Sequence, residues 1–404
     1  MAAKMRDILL LENIHVEAEP ALRDAGFKIR REGGTLEEAA LVEAIGQSAI
    51  IGIRSRTQMT ESVINAAPNI EAIACFCIGT NQVDLAAAAR KGIAVFNSPF
   101  SNTRSVAEMT IAEIIGLHRG LFDKNSAMHQ GQWDKSAIDS HEVRGRTLGI
   151  VGYGHIGSQV SVLAEALGMR VIYHDIISKM AMGNAQAVDS LKRLLTESDV
   201  VTLHVPETAD TRNLIDKSAI KRMKHGAMLI NNSRGSVVDL DALAEAIQSG
   251  QIRGAAVDVY PSEPRSGKDQ FQCSLSGLPG VILTPHIGGS TEEAQIAIAR
   301  EVSMKLVGFQ QRGTTTSSVN VPEVELPRRR EGQDRILHFH HNVPGVLSTM
   351  HGILAEGHVN IHAEYLQSTG ELSYVILDVD HLQDDTVLQR FEAMKETIRL
   401  RLLS

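Results

Sequence analysis

Residues 149–157 read Gly-Ile-Val-Gly-Tyr-Gly-His-Ile-Gly, so glycine stands at 152, 154 and 157 in the order G-x-G-x-x-G. An apolar run, 148–151, enters this stretch, and an alanine- and leucine-rich segment, 160–167, leaves it. A strand, a glycine turn and a helix in that order form the phosphate-binding opening of a dinucleotide-binding βαβ unit. Each glycine meets a separate need. Gly152 permits the tight turn, Gly154 lets a pyrophosphate approach the backbone, and Gly157 lets helix and strand pack closely. The helix opening at His155 and Ile156 then turns its amide groups and the positive end of its dipole toward the pyrophosphate. A second apolar strand, 170–174, ends at Asp175. A carboxylate there accepts hydrogen bonds from ribose hydroxyls and repels a 2′-phosphate, and residues 176–179 contain no arginine to attract one. The expected cofactor is NAD rather than NADP.

A chain of 404 residues has room for two or three domains with cores of their own. A net charge of −8 and a pI near 6.1 argue against nucleic acid or an anionic membrane as partner. No stretch approaches the ~20 uninterrupted apolar residues of a membrane span, and the N-terminal residues lack a signal-peptide pattern. Three cysteines are too few for a disulfide framework. Cys75 and Cys77 lie in an apolar segment and read as buried strand residues in a reducing cytoplasm.

The first hundred residues alternate strands (8–11, 49–53, 70–77, 93–96) with helical patterns (36–45, 83–91), as in a small α/β domain. Ligands of such sheets bind beyond the carboxyl ends of the strands, which places Arg54, Ser55, Arg56, Gly79 and Asn81 on one rim. A long helix to about residue 118 follows, with Ser101 or Asn102 as its cap. A polar segment containing Lys135 leads to the glycine strand. Beyond Asp175, helices at 188–197, 215–223 and 240–249 alternate with strands at 200–205, 227–231, 254–259 and 281–284, which specifies a doubly wound parallel sheet. A helix to about residue 311 and a Ser/Thr-rich stretch, read as a linker, precede a β-α-β-β-α-β pattern after Pro327. Seven of the sixteen histidines lie in that last segment, but His338, His340 and His341 lack zinc-ligand spacing and no cysteine joins them, so no metal is expected.

Three strand ends of the parallel sheet carry catalytic chemistry: Arg234 in Asn231-Asn-Ser-Arg-Gly-Ser236, Glu263 in Asp258-Val-Tyr-Pro-Ser-Glu-Pro264, and His286 in Thr284-Pro-His-Ile-Gly-Gly289. An arginine fork grips a carboxylate and polarises a developing carbonyl. A histidine takes the hydroxyl proton of a 2-hydroxy acid as hydride departs, and a carboxylate beside the imidazole orients it and favours its charged form.

These residues, together with Arg54-Ser-Arg-Thr57, Phe76-Cys-Ile-Gly-Thr-Asn-Gln-Val-Asp84 and Ser101-Asn-Thr-Arg-Ser-Val-Ala-Glu108, resemble the D-isomer-specific 2-hydroxyacid dehydrogenases over nearly the whole chain. The resemblance implies an α/β architecture in which a Rossmann-type doubly wound NAD-binding domain (102–288) is inserted in a smaller, flavodoxin-like substrate-binding domain (1–101 and 289–327). A ferredoxin-like domain similar to the ACT sensor (328–404) follows. It implies Arg234, Glu263 and His286 as the catalytic trio. It adds Asn232, Ser233, Asp258, Gly288 and Gly289 to the cofactor site, and Asn102 and Lys135 to the residues that hold substrate. The branch it matches oxidises 3-phosphoglycerate to 3-phosphohydroxypyruvate at the entry to serine synthesis. That branch is tetrameric and binds L-serine between paired ACT domains, for which His340, Asn342 and Asn360 are the matching residues, expected at one end of the sheet. One departure stands out: Arg328-Arg-Arg-Glu-Gly332 replaces a flexible glycine pair before the ACT-like segment. Two other readings share this pattern, a dehydrogenase of an unphosphorylated acid (glycerate/hydroxypyruvate or 2-oxoglutarate) and a non-catalytic NAD sensor. The intact trio argues against the sensor.

Overall fold

A computed structural model describes residues 6–264 and 270–404. The chain divides into two compact units, Met1–Ser101 with Gln295–Ser404, and Asn102–Ala294.

In the first unit, β1 (Arg6–Leu10), β2 (Phe27–Arg31), β3 (Ile50–Ile53), β4 (Ala72–Cys75) and β5 (Ala94–Phe96) form a sheet in the order β2-β1-β3-β4-β5, parallel throughout. That is the flavodoxin-like order, with the switch point between β1 and β3. Every residue of β3 and β4 is buried, as expected for strands covered on both faces. Sequence pattern alone does not reveal β2. It is an edge strand in which charged residues interrupt the apolar ones, and Arg31 pairs with Glu19.

The second unit holds β6 (Thr147–Val151), β7 (Arg170–His174), β8 (Gln186–Ala187), β9 (Val200–Leu203), β10 (Ala227–Asn231), β11 (Ile252–Val257) and β12 (Val281–Leu283). Their order, β12-β11-β10-β9-β6-β7-β8, reverses direction at β6, which places the glycine turn at the switch point. The helix Thr103–Arg119 packs on this sheet, but Asn102 makes no side-chain capping bond to it. The segment after it contains a helix, Leu121–His129, that the sequence conceals because it buries none of its residues.

Within the first unit, β13 (Gln333–His341), β14 (Ile361–Thr369), β15 (Leu372–Asp380) and β16 (Thr397–Leu403) make an antiparallel sheet in the order β14-β15-β13-β16. Its face of Leu337, Phe339, Leu372, Tyr374 and Ile376 joins one hydrophobic core with β1, β3, β4, β5 and the helix Glu292–Arg312. The Ser/Thr-rich stretch is therefore no free linker. Thr315 Oγ1 donates to the Pro322 carbonyl at 2.7 Å and accepts from the Val324 amide at 2.9 Å. The Asn320 side chain accepts from the Val95 amide and donates to the Ile93 carbonyl, beside an isolated bridge between Ser318 and Phe96 of β5. Hydroxyl and amide side chains satisfy the backbone here, which lets Val321 and Val324 reach the core. Arg335, 1% exposed, fastens the junction: it forks onto Asp378 and donates to the carbonyls of Arg312 and Pro327. Among the described residues, no helix is long and apolar enough to cross a membrane.

Candidate active site

The glycine turn has the shape a pyrophosphate needs. Gly152 has φ 88°, and a Cβ there would lie 2.4 Å from the His204 carbonyl oxygen. A Cβ on Gly157 would lie 2.2 Å from the Gly152 carbonyl oxygen, so turn and helix touch backbone to backbone. Gly154 differs: nothing lies within 4 Å of its Cβ position, which leaves the turn open on that side. The helix His155–Ala166 starts immediately after it. Asp175 is tied to the same turn, accepting from the Tyr153 amide through Oδ2 at 2.8 Å and from the Ile177 amide through Oδ1 at 3.1 Å. Open backbone at Gly154, a helix start and an anchored carboxylate fit a dinucleotide with an unphosphorylated ribose.

Glu263 and His286 are brought together. His286 Nδ1 lies 2.9 and 3.0 Å from the two Glu263 oxygens. A carboxylate only accepts, so Nδ1 carries the hydrogen and Nε2 is left as the acceptor. The Glu263 hydrogen bond raises the His286 pKa above its ordinary value; burial opposes this, and the charges of Glu263 and Asp258 add to it. Burial pushes Glu263 upward, but the hydrogen bond and charge of His286 outweigh it, leaving Glu263 below the usual carboxylate range.

His286 has φ 55°, a left-handed conformation that is strained for a residue with a Cβ. The loop is held by Asp258, 1% exposed, whose Oδ1 accepts from the Ile287 amide and Thr284 hydroxyl while Oδ2 accepts from the Gly288 amide. Its carboxylate is thus committed to the histidine loop. Gly289 follows, beside the Asn102 side chain: a Cβ on it would fall 2.1 Å from Asn102 Nδ2.

Arg234 follows β10 on a loop tied by Asn231, which accepts from the Ser233 amide and hydroxyl and donates to the Arg234 carbonyl. The Asn232 side chain turns into the core and donates to Glu113 Oε2 at 2.6 Å and Thr110 Oγ1 at 3.0 Å. Burial raises the Glu113 pKa to about 7; the Asn232 hydrogen bond opposes the rise and the Asp258 charge adds to it. Sequence reasoning overlooked Asn231, Thr284 and Glu113. Only Glu113 carries a signal, a carboxylate three residues from Thr110 and beside Ile114 on the buried face of the helix.

In the other unit, Arg54, Ser55 and Arg56 follow β3, and Gly79 and Asn81 follow the neighbouring β4. Gln82 ties the two loops, donating to the Arg54 carbonyl at 2.7 Å and the Gly79 carbonyl at 3.2 Å. Lys135 sits exposed in the loop before β6.

The antiparallel sheet carries a cavity of about 210 Å³ lined by His340, Asn342, Pro344, Gly345, Leu366 and Ser373, among others. His340 Nδ1 donates to the His341 carbonyl, and Nε2 is buried with no partner among the described residues. Asn342 donates through Nδ2 to the Gly370 carbonyl, and the helix Val346–Glu356, with Gly345 at its N-cap, has no side-chain cap among the described residues. Asn360 does not line this cavity. Its amide donates to Asp380 at the far end of β15, whereas His340 pairs with Ser373 at the near end. The expectation that all three residues share one end of the sheet is corrected: β14 runs antiparallel to β15 and begins where β15 ends.

Residues 111–288 match the NAD-binding domain of the D-isomer specific 2-hydroxyacid dehydrogenases, and residues 336–399 match the ACT domain of the acetohydroxyacid synthase small-subunit type. The D-3-phosphoglycerate dehydrogenase of Escherichia coli strain K12 is 50% identical over 398 residues, covering 98% of this chain and 97% of the relative. The chain belongs to the D-3-phosphoglycerate dehydrogenase family. The Dictyostelium discoideum member of that family is 47% identical, with 98% of this chain and 97% of the relative covered. Among solved structures, the D-lactate dehydrogenase of Aquifex aeolicus, complexed with NAD and lactic acid, superposes with a TM-score of 0.65 at 28% identity. That alignment covers 75% of this chain and 95% of the lactate dehydrogenase. NAD is the cofactor of this chain's dinucleotide-binding domain.

Proposed function

We propose that this protein oxidises 3-phospho-D-glycerate to 3-phosphohydroxypyruvate, the first step of serine synthesis, with His286 as proton acceptor and Arg234 as carboxylate anchor. The observation that carries the reading is the His286–Glu263 pair. Its geometry fixes the tautomer and leaves Nε2 free to take the C2 hydroxyl proton, which a neutral imidazole does and an unoriented one does poorly. NAD, when bound, supplies the hydride acceptor. Glu263 stabilises the imidazolium that results, and Asp258 holds the loop on which the imidazole sits. Arg234 supplies a forked cation for the substrate carboxylate. Arg54 and Arg56 recognise the phosphate, and the names of the 47–50% identical relatives support that substrate.

The ACT domain supports an amino-acid effector, and we assign L-serine. Its ammonium and hydroxyl groups are donors for the unpartnered Nε2 of His340, and its carboxylate suits the open helix start after Gly345. Because Asn360 stands at the opposite end of its own sheet, its participation calls for a second ACT domain, and so for a dimer or, as the family resemblance suggests, a tetramer. The test is a turnover assay with 3-phosphoglycerate and NAD against D-glycerate and lactate, with and without L-serine. Equal kcat/KM on the unphosphorylated acids would remove the substrate assignment.

A further inference from the structure

We propose that Glu12 is a positioning residue for substrate recognition: its carboxylate shapes the 54–57 loop so that both arginine side chains stay free to meet a phosphate. This rests on the reading of Arg54 and Arg56 as phosphate-recognising residues. Glu12 is 9% exposed, and its carboxylate accepts three backbone hydrogen bonds from one loop. Glu12 Oε1 accepts from the amides of Arg54 at 3.0 Å and Thr57 at 2.9 Å, and Oε2 from the amide of Arg56 at 3.1 Å.

The choice of partner is the informative point. A glutamate beside two arginines ordinarily pairs with a guanidinium, as Glu19 does with Arg23 and Arg31. Glu12 spends its oxygens on amides instead, and neither Arg54 nor Arg56 forms an ion pair among the described residues. Two cations therefore remain uncompensated on one short loop. A buried carboxylate close behind a phosphate site would ordinarily oppose the anion, but here three amide dipoles point at it and absorb its charge.

The backbone reinforces the point. Glu12 and Asn13 have φ 56° and 51°, a region that disfavours residues with a Cβ and persists where the surroundings over-determine it. The Leu11 amide donates to the Gly52 carbonyl of β3 and the Glu12 amide to the Gly34 carbonyl after β2, which holds the turn after β1 from both neighbouring strands. From the other side Gln82 holds the Arg54 carbonyl, so the loop is gripped through both its donors and its acceptors.

Glu12→Gln is the test, because a carboxamide offers one acceptor oxygen and sets its NH2 against an amide donor. Steady-state kinetics are measured for reduction of 3-phosphohydroxypyruvate and of hydroxypyruvate with NADH. The variants are Glu12→Gln, the pair Arg54→Ala and Arg56→Ala, and the triple variant. The expected result is a rise of about tenfold in KM for the phosphorylated substrate, with kcat and the hydroxypyruvate kcat/KM nearly unchanged. In the background lacking both arginines, Glu12→Gln should add almost nothing. Equal losses on both substrates, or the full loss repeated without the arginines, would overturn the role of Glu12. The arginine pair alone judges the underlying reading: if it weakens both substrates equally, the phosphate assignment fails whatever Glu12 does. Should Glu12→Gln lose cooperative thermal unfolding, Glu12→Asp takes its place, since it keeps the charge and shortens the reach to the three amides. A phosphate-selective rise in KM then supports the positioning role, and its absence overturns it.

Discussion

At the scale of single residues, the proposed chemistry depends on how His286 is held. General acid–base catalysis typically contributes ~10²–10⁴ in rate, so His286→Ala should lower turnover at least ~10²-fold while NAD affinity, read by fluorescence titration, stays close to normal. The pH dependence has a definite sign. Oxidation needs neutral His286, and the Glu263 hydrogen bond raises its pKa, so kcat/KM for oxidation should climb with pH through a value above that of an ordinary imidazole. Glu263→Gln removes the largest raising influence and should move that inflection to lower pH. An unmoved inflection in the pH–rate profile would assign the titration to another group. Arg234, Glu263 and His286 were legible as three chemical groups at the ends of three strands. The role of Asp258 was not: one buried carboxylate satisfying three donors of the 284–288 loop is a relation between β11 and the segment after β12.

Elements carry two further predictions. The turn between β6 and the helix His155–Ala166 is fastened to Asp175 at the end of β7 through the Tyr153 amide. Asp175→Ala should weaken NAD binding and reduce the preference over NADP, read as the ratio of kcat/KM values with the two cofactors. Comparable use of both by the unmodified protein would refute the role given to Asp175. In the antiparallel sheet, Arg335 on β13 and Asp378 on β15 are 1% and 9% exposed in their side chains. Removing one partner of a buried pair leaves an uncompensated charge, so Arg335→Leu should destabilise by roughly 3–5 kcal/mol in chemical denaturation. It should also release the carbonyls of Arg312 and Pro327, loosening the segment that joins helix Glu292–Arg312 to β13.

For the whole molecule, the shared core of β1–β5 and the ACT sheet bears on regulation. A sensor on a flexible tether would turn about its linker, but here the segment before β13 is bonded to β5 and to Arg335, with Val321 and Val324 in the core. Inhibition at a distance needs a two-state element that the effector biases. Calorimetry and turnover separate the two halves of the serine proposal. Serine that binds and slows turnover fits both halves. Serine that binds without inhibition keeps the site and removes the coupling, and serine that fails to bind removes the site.

The sequence by itself determined what depends on neighbours along the chain. The glycine turn, the acidic end of β7, the alternation of strands and helices and the β-α-β-β-α-β pattern are all local, set by backbone sterics and apolar periodicity within a few residues. Tertiary structure alone decided where polar side chains are spent. Glu12 serves a loop that follows β3, Asn232 turns inward to Glu113, Asn360 stands apart from His340, and the Ser/Thr-rich stretch is anchored rather than free. A buried donor or acceptor must find a partner, and that partner can lie anywhere in the chain, so its identity becomes fixed only when distant segments are folded against each other.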